Sequence, residues 1–190
     1  MKIHLASQSA RRRELLALLG VEFTMFSLRL DETPLGGESA RAYVERLARA
    51  KATAGWQQIE QERLPRAPVL GADTTVALEG RIFGKPADRE AAAEMLRALS
   101  GRTHEVLTAV ALQFEDRIES VLQASQVEFK SLSDENIHHY LATGEWQGKA
   151  GAYGVQGAAA RFVAGLRGSF SGVMGLPLCE TAALLERIGR

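Results

Sequence analysis

The spacing of apolar positions changes repeatedly along the chain, and each change marks an element. Lys2 to Ala6 predicts a short strand, and Ser7 to Ala10 a turn of small residues. Arg11 to Leu19 follows with helical spacing, Leu15, Leu16, Leu18 and Leu19 forming the apolar face and Gly20 the stop. Phe23 to Ser27 predicts a second strand. Leu30 to Gly37, with Pro34 and two glycines, predicts a loop. Ser39 to Ala54 predicts a long helix: Val44, Leu47 and Ala48 lie on one side, while Arg41, Glu45 and Arg49 recur every four residues on another. Gln57 to Pro68 is polar, carries two prolines and predicts a connection.

Val69 to Leu78 holds strand material around Gly71-Ala72-Asp73-Thr74-Thr75, and Glu79-Gly80 makes a hairpin-type turn into Arg81 to Phe83. Asp88 caps a helix that reaches Leu99. Thr103 to Phe114 and Ile118 to Phe129 alternate with a period of two on either side of Glu115-Asp116-Arg117, which predicts a long antiparallel hairpin. Ser133 caps a helix with an acidic first turn that runs to about Thr143. Gly144 to Gly157 is a glycine-rich loop, Phe162 to Leu166 a strand, and Gly168 to Gly175 a second Gly/Ser-rich turn; Pro177 opens the last helix. Helices and strands alternating around one long hairpin predict an α/β or α+β fold on a mixed sheet, not a purely parallel one.

Composition narrows the class of protein. The 190 residues suit one domain, or two lobes on a shared sheet. Lys plus Arg and Asp plus Glu each number 23, so no global charge marks a nucleic-acid or membrane binder. Cys179 is the one cysteine, which excludes a disulfide within the chain and argues against a cysteine-based metal site; a structural role near the last helix is expected of it. No signal-peptide core opens the sequence and no run of 18 apolar residues occurs in it, so a cytoplasmic setting is the expectation.

Standard phosphate motifs are missing: neither GxxxxGK[ST] nor GxGxxG occurs, and Gly168-Ser-Phe-Ser-Gly172 has Phe where a nucleophile elbow needs Ser. Four other groupings carry candidate chemistry. Ser7-Gln8-Ser9-Ala10-Arg11-Arg12 puts two guanidiniums at a helix start, against the helix dipole, which makes sense if an anion sits between them. The alternative is a solvated basic face. Asp31-Glu32 and Asp73 are the acidic candidates. Asp73 is expected near the C-terminal end of its strand, where open α/β sheets bind ligands and a carboxylate holds Mg²⁺ or takes a proton from water; a turn Asp bonded to its own backbone is the plainer reading. Lys51 and Lys85 are either surface charge or partners for phosphate. In Lys149-Ala-Gly-Ala-Tyr-Gly-Val-Gln-Gly157 the glycines permit close approach of a ligand, and the Gln156 amide offers a donor and an acceptor to a pyrimidine edge; a flexible polar loop is the alternative. His104, His138 and His139 show no metal-ligand spacing, and Trp56, Trp146 and Tyr153 read as packing residues.

Together these segments resemble the Maf family of nucleotide pyrophosphatases across nearly the whole chain. The residues that carry the resemblance are LASQSARRRELL at 5–16, DET at 31–33, ESARAYVERLARAKA at 38–52, GADTTVALEGRIFGKP at 71–86, SGRTHEVLTAVAL at 100–112, KAGAYGVQG at 149–157 and GSFSGVMGLPL at 168–178. The family's usual proline before the two arginines is Ala10 here. The resemblance implies an elongated mixed sheet with flanking helices, in which one domain over residues 1–190 forms two lobes around a cleft.

It also implies hydrolysis of a nucleoside triphosphate between the α and β phosphates with a divalent metal, Mg²⁺ or Mn²⁺, and a homodimer. Carried over residue by residue, Ser7, Ser9, Arg11, Arg12, Lys51, Thr74, Lys85 and Gln156 bind the nucleotide, Glu32 and Asp73 hold the metal, and Asp73 is the general base. Arg12, Thr74 and Gln156 point to the dTTP/UTP branch of the family. A 7-methyl-GTP pyrophosphatase and a non-catalytic nucleotide-binding regulator of cell division are the alternatives.

Overall fold

A computed structural model describes residues 1–188. Lys2–Ala6 forms β1, and Ala10–Ala17 forms α1, capped by the Ser9 hydroxyl. Glu22–Met25 is β2 and Ala40–Glu62 is α2, a helix that runs eight residues past the end its apolar pattern predicts. Gln57 to Glu62, read from sequence as part of a connection, are good helix formers. Trp56 and Ile59 bury against Ala6, Phe26 and Val69, which carries the helix through that polar stretch. It stops at Arg63, in the left-handed region at φ 52°, two residues before Pro65.

Val69–Leu78 is β3 and Arg81–Phe83 is β4, joined by a tight turn in which Glu79 and Gly80 both have positive φ. Arg89–Leu99 is α3, with Asp88 as its cap. Thr103–Phe114 and Arg117–Phe129 are β5 and β6, the expected hairpin. Asp134–Ala142 is α4, Val163–Arg167 is β7 and Leu178–Ile188 is α6. Gly168 to Gly175 is more than the expected turn: Phe170–Met174 coils into a short helix, α5, capped by Ser169. Cys179 is exposed on α6, so it packs no core, contrary to expectation.

The strands form one mixed sheet in the order β2-β1-β3-β5-β6-β7, with β4 paired to β3. β2, β1 and β3 are parallel; β3, β5, β6 and β7 are antiparallel. This bears out the mixed α/β expectation. α2 covers one face through Val44, Ala48 and Ala52, which pack on Ala77, Leu107, Ala109 and Ala111. Two clusters share the other face. One joins α1 and α6 to β1 through Leu15, Leu16, Leu184, Ile3 and Leu5. The second joins α3 and α4 to Val76, Val106 and Phe129.

A gap in pairing positions the site. β1 ends at Ala6 opposite Gly71, and β4 begins to pair only at Val76 opposite Phe83. Between them one edge of β3, at Ala72, Asp73, Thr74 and Thr75, has no strand beside it among the described residues. The two core clusters part at the same place: Leu70 and Ala72 belong to one, Val76 to the other.

Candidate active site

A cavity of about 530 Å³ opens on that unpaired edge, within the range of about 300–1,000 Å³ usual for small-molecule sites. Among the described residues, six basic side chains line it, Arg11, Arg12, Arg29, Lys51, Lys85 and Lys149, against two carboxylates, Glu32 and Asp73. That excess of positive charge favours a polyanion.

Asp73 is the fifth of ten residues in β3, not at its C-terminal end as expected. The crevice follows the end of the parallel neighbour β1, and β3 continues past it beside β5. Asp73 is 7% exposed and faces α2. Gly71 brings that helix close: a Cβ there would lie 2.4 Å from Ala48 O and 2.5 Å from Ala52 N. The close approach sets Lys51 Nζ 2.6 Å from Asp73 Oδ1 and 2.7 Å from Glu32 Oε1. Lys85, from the turn after β4, reaches Glu32 Oε2 at 3.3 Å. The Glu32 loop is held by Tyr43 of α2, whose hydroxyl donates to the Glu32 carbonyl at 2.9 Å. Burial raises the Glu32 pKa, but Lys51 and Lys85 outweigh it, and the net shift is downward. Burial, with Asp73 and Glu32 beside it, pushes the Tyr43 hydroxyl up to about 12.

Thr74 faces the opposite side of the sheet. Arg12 Nη2 donates to its hydroxyl at 3.0 Å and Arg12 Nε donates to Gly175 O at 2.8 Å. Burial lowers the Arg12 pKa, and Asp73 and Glu32 oppose that shift. Ser7 Oγ accepts from Ser9 N at 3.2 Å and from Arg12 Nη1 at 3.5 Å; Ser9 Oγ accepts from Arg12 N as the cap of α1. The absence of proline at Ala10 leaves this capped turn in place.

The Lys149 to Gly157 loop also lines the cavity, through Lys149, Ala150, Tyr153, Gly154 and Gln156. Gly151 and Ala152 are both left-handed, at φ 67° and 62°, and Ala152 is fully buried, a strained backbone of the kind that gathers at functional sites. Tyr153 Oη lies 2.8 Å from His104 Nε2 and anchors the loop to β5. Both polar atoms of the Gln156 amide are buried without a partner among the described residues. A donor and an acceptor left open in a cleft are suited to a ligand that supplies both.

All the sequence-derived candidates line this one cavity: Ser7, Ser9, Arg11, Arg12, Glu32, Lys51, Asp73, Thr74, Lys85 and Gln156. His138 and His139 are exposed on α4, away from it. Sequence reading gave no role to Lys149, which also lines the cavity. Burial, then repulsion from Arg11, lowers its pKa against the pull of Glu145. Its place at the head of the glycine run was the available signal.

The chain is similar to several known proteins. The dTTP/UTP pyrophosphatase of Dechloromonas aromatica (strain RCB) is 53% identical over 197 residues, covering 100% of this chain and 98% of that protein. The dTTP/UTP pyrophosphatase of Aromatoleum aromaticum is 53% identical, covering 99% and 96%. A solved structure, the Ham1 protein of Staphylococcus aureus, is similar at a TM-score of 0.47 and 13% identity, covering 68% of this chain and 72% of that one. Residues 2–188 match the family model described as Maf-like protein, and the chain belongs to that family.

Proposed function

We propose that this chain hydrolyses dTTP and UTP to the nucleoside monophosphate and pyrophosphate. The observation that carries this reading is the cleft, which Asp73 shares with six basic side chains of the described residues and with the open amide of Gln156. Relatives 53% identical over their full length are named for that activity.

In this reading Arg11, Arg12 and Lys85 bind the triphosphate and stabilise the charge that develops on departing pyrophosphate, with Ser7 and Ser9 at the turn beside them. Asp73 orients the attacking water or takes its proton. Lys51 keeps Asp73 and Glu32 together, since one ammonium touches both. Gln156 meets the base edge, which in uracil and thymine carries both a donor and an acceptor. The residues fit a divalent ion. Glu32 and Asp73 are hard oxygen donors, no cluster of three metal-binding side chains occurs among the described residues, and Mg²⁺ or Mn²⁺ needs only one or two carboxylates when water and phosphate complete its shell. Bound there, the ion supplies charge neutralisation at the phosphates. One domain over residues 1–190 with two lobes, a homodimer and a cytoplasmic setting belong to the same reading. The parted core clusters on one sheet support its lobes. Among the described residues no helix is long and apolar enough to cross a membrane.

Pyrophosphate release from UTP, dTTP, CTP, GTP and 7-methyl-GTP, with Mg²⁺, with Mn²⁺ and with chelator, tests the proposal. Release from UTP and dTTP that chelator abolishes is expected. Preference for 7-methyl-GTP would overturn the roles of Thr74 and Gln156, and nucleotide binding without turnover would favour a regulator.

A further inference from the structure

A polar row crosses the sheet beneath the cleft. Thr74 of β3 lies in register with Thr108 of β5, and Thr108 with Gln123 of β6. Thr108 is 0% exposed, so it touches no substrate. Its hydroxyl donates to Gly172 O of α5 at 2.7 Å. A carbonyl only accepts, so the single hydrogen of Thr108 is committed there. The 2.9 Å contact between the Thr74 and Thr108 oxygens therefore has one polarity: Thr74 donates. Arg12 Nη2 donates to that same Thr74 oxygen at 3.0 Å. The circuit closes through the backbone, with Gly175 N donating to Gly172 O at 2.9 Å and Arg12 Nε donating to Gly175 O at 2.8 Å.

We propose that Thr108 is a positioning residue for nucleotide recognition: by accepting the Thr74 hydroxyl hydrogen and holding Gly172, it fixes Thr74 as an acceptor and pins the Arg12 guanidinium in the cleft. Thr74 then presents only lone-pair density to a ligand. The Gly168 to Gly175 segment gains a purpose as well, since its carbonyls are the two backbone stations of the ring. Without the Thr108 hydroxyl, Thr74 can turn its hydrogen elsewhere and Gly172 O loses one of its two donors.

The kinetic part of the test rests on the pyrophosphatase reading. KM and kcat for UTP and dTTP are measured for the full chain, for Thr108→Val, Thr108→Ser and Thr74→Val, and for the Thr108→Val/Thr74→Val pair. Thr108→Val is expected to raise KM about tenfold with kcat within about twofold, the pattern of lost ground-state binding. Thr108→Ser, which keeps the hydroxyl, is expected within about twofold of wild type in both. Added to Thr74→Val, Thr108→Val is expected to raise KM by clearly less than it does alone, because the route through Thr74 is already broken and residues acting through one another do not add. An unchanged KM in Thr108→Val, additive effects in the pair, or a serine variant as impaired as the valine one would overturn the proposal. If Thr108→Val does not fold, Thr108→Cys replaces it and is expected between serine and wild-type behaviour on one side and complete loss on the other; a wild-type KM in that variant overturns the proposal.

A second measurement does not need turnover. The Arg12 Nε–H resonance is expected to be sharp and slow to exchange in wild type and in Thr108→Ser, and broadened in Thr108→Val or Thr108→Cys. A sharp signal in every variant overturns the proposal. A wild-type protein that turns over neither UTP nor dTTP counts against the pyrophosphatase reading alone, and the resonance then decides the part played by Thr108.

Discussion

Lys51 holds two carboxylates at once, Asp73 at 2.6 Å and Glu32 at 2.7 Å, and this contact organises the acidic side of the cleft. Two carboxylates in so confined a place repel each other unless a cation stands between them. Replacing Asp73 by Asn keeps the shape and removes one charge, while Lys51 retains Glu32. Turnover of UTP by Asp73→Asn is expected to fall by about 10²–10⁴, the usual contribution of a general base, with little change in the unfolding midpoint. Steady-state rates beside a thermal melt check this, and near-wild-type turnover would remove Asp73 from its role. Lys51, Asp73, Glu32 and Gln156 stand out in the sequence as charged or amide side chains, but each has a plainer reading beside it, and their roles come from the resemblance to the family. Thr108 does not stand out. A threonine in a strand satisfies β propensity, and nothing in a one-dimensional pattern shows its hydroxyl meeting Thr74 across the sheet.

At the scale of elements, the packing of α2 on β3 sets the distance between the lysine and the carboxylate. Gly71 has ordinary φ, so its importance lies in space alone: an alanine Cβ would meet backbone atoms of α2 at 2.4 and 2.5 Å, which no side-chain rotation relieves. Gly71→Ala is expected to cost about 1–3 kcal/mol of stability through overpacking. It is also expected to lower kcat at least about tenfold, because misplacing a positioned group by about 1 Å is that costly. Gly36→Ala is the control, since its Cβ meets nothing within 4 Å. Urea unfolding and kcat for the two variants decide the matter, and equal behaviour would show that helix contact does not set the geometry. The start of α2 was legible from its apolar stripe and Ser39 cap. Its end was not, because burial of Trp56 and Ile59 against β1 and β3 is a tertiary effect that polar composition conceals. The short helix α5 is illegible for a similar reason: five residues held by Ser169 give no periodicity to read.

For the whole molecule, the sequence announced a mixed sheet but not the order of its strands, which places the open edge of β3 between β1 and β4. His104 shows how the parts on either side of that opening depend on each other. It is 2% exposed on β5, packs edge-on against Phe129 at 4.9 Å and meets the Tyr153 hydroxyl of the cleft loop at 2.8 Å. Burial outweighs the contact with the Arg102 backbone and lowers its pKa to about 4, from an ordinary 6.5. Between those values the unfolded chain binds a proton that the folded chain refuses, so stability rises with pH across the window. The loss begins as pH falls below 6.5 and reaches about 3 kcal/mol near pH 4. That is a large share of the roughly 5–15 kcal/mol that holds a typical protein folded. Glu32 and Glu38 have lowered pKa values, so their losses begin below the ordinary 4.5 and leave most of the window to His104. Urea unfolding at pH 7.5, 6.5, 5.5 and 4.5 is expected to show wild type losing stability steadily below pH 6.5. His104→Gln, which takes up no proton there, starts less stable at pH 7.5 for want of aromatic packing but declines more gently. Parallel declines would mean that the acid sensitivity arises elsewhere. A gentler one would tie the integrity of the cleft wall, through Tyr153, to a histidine outside the lining of the cavity.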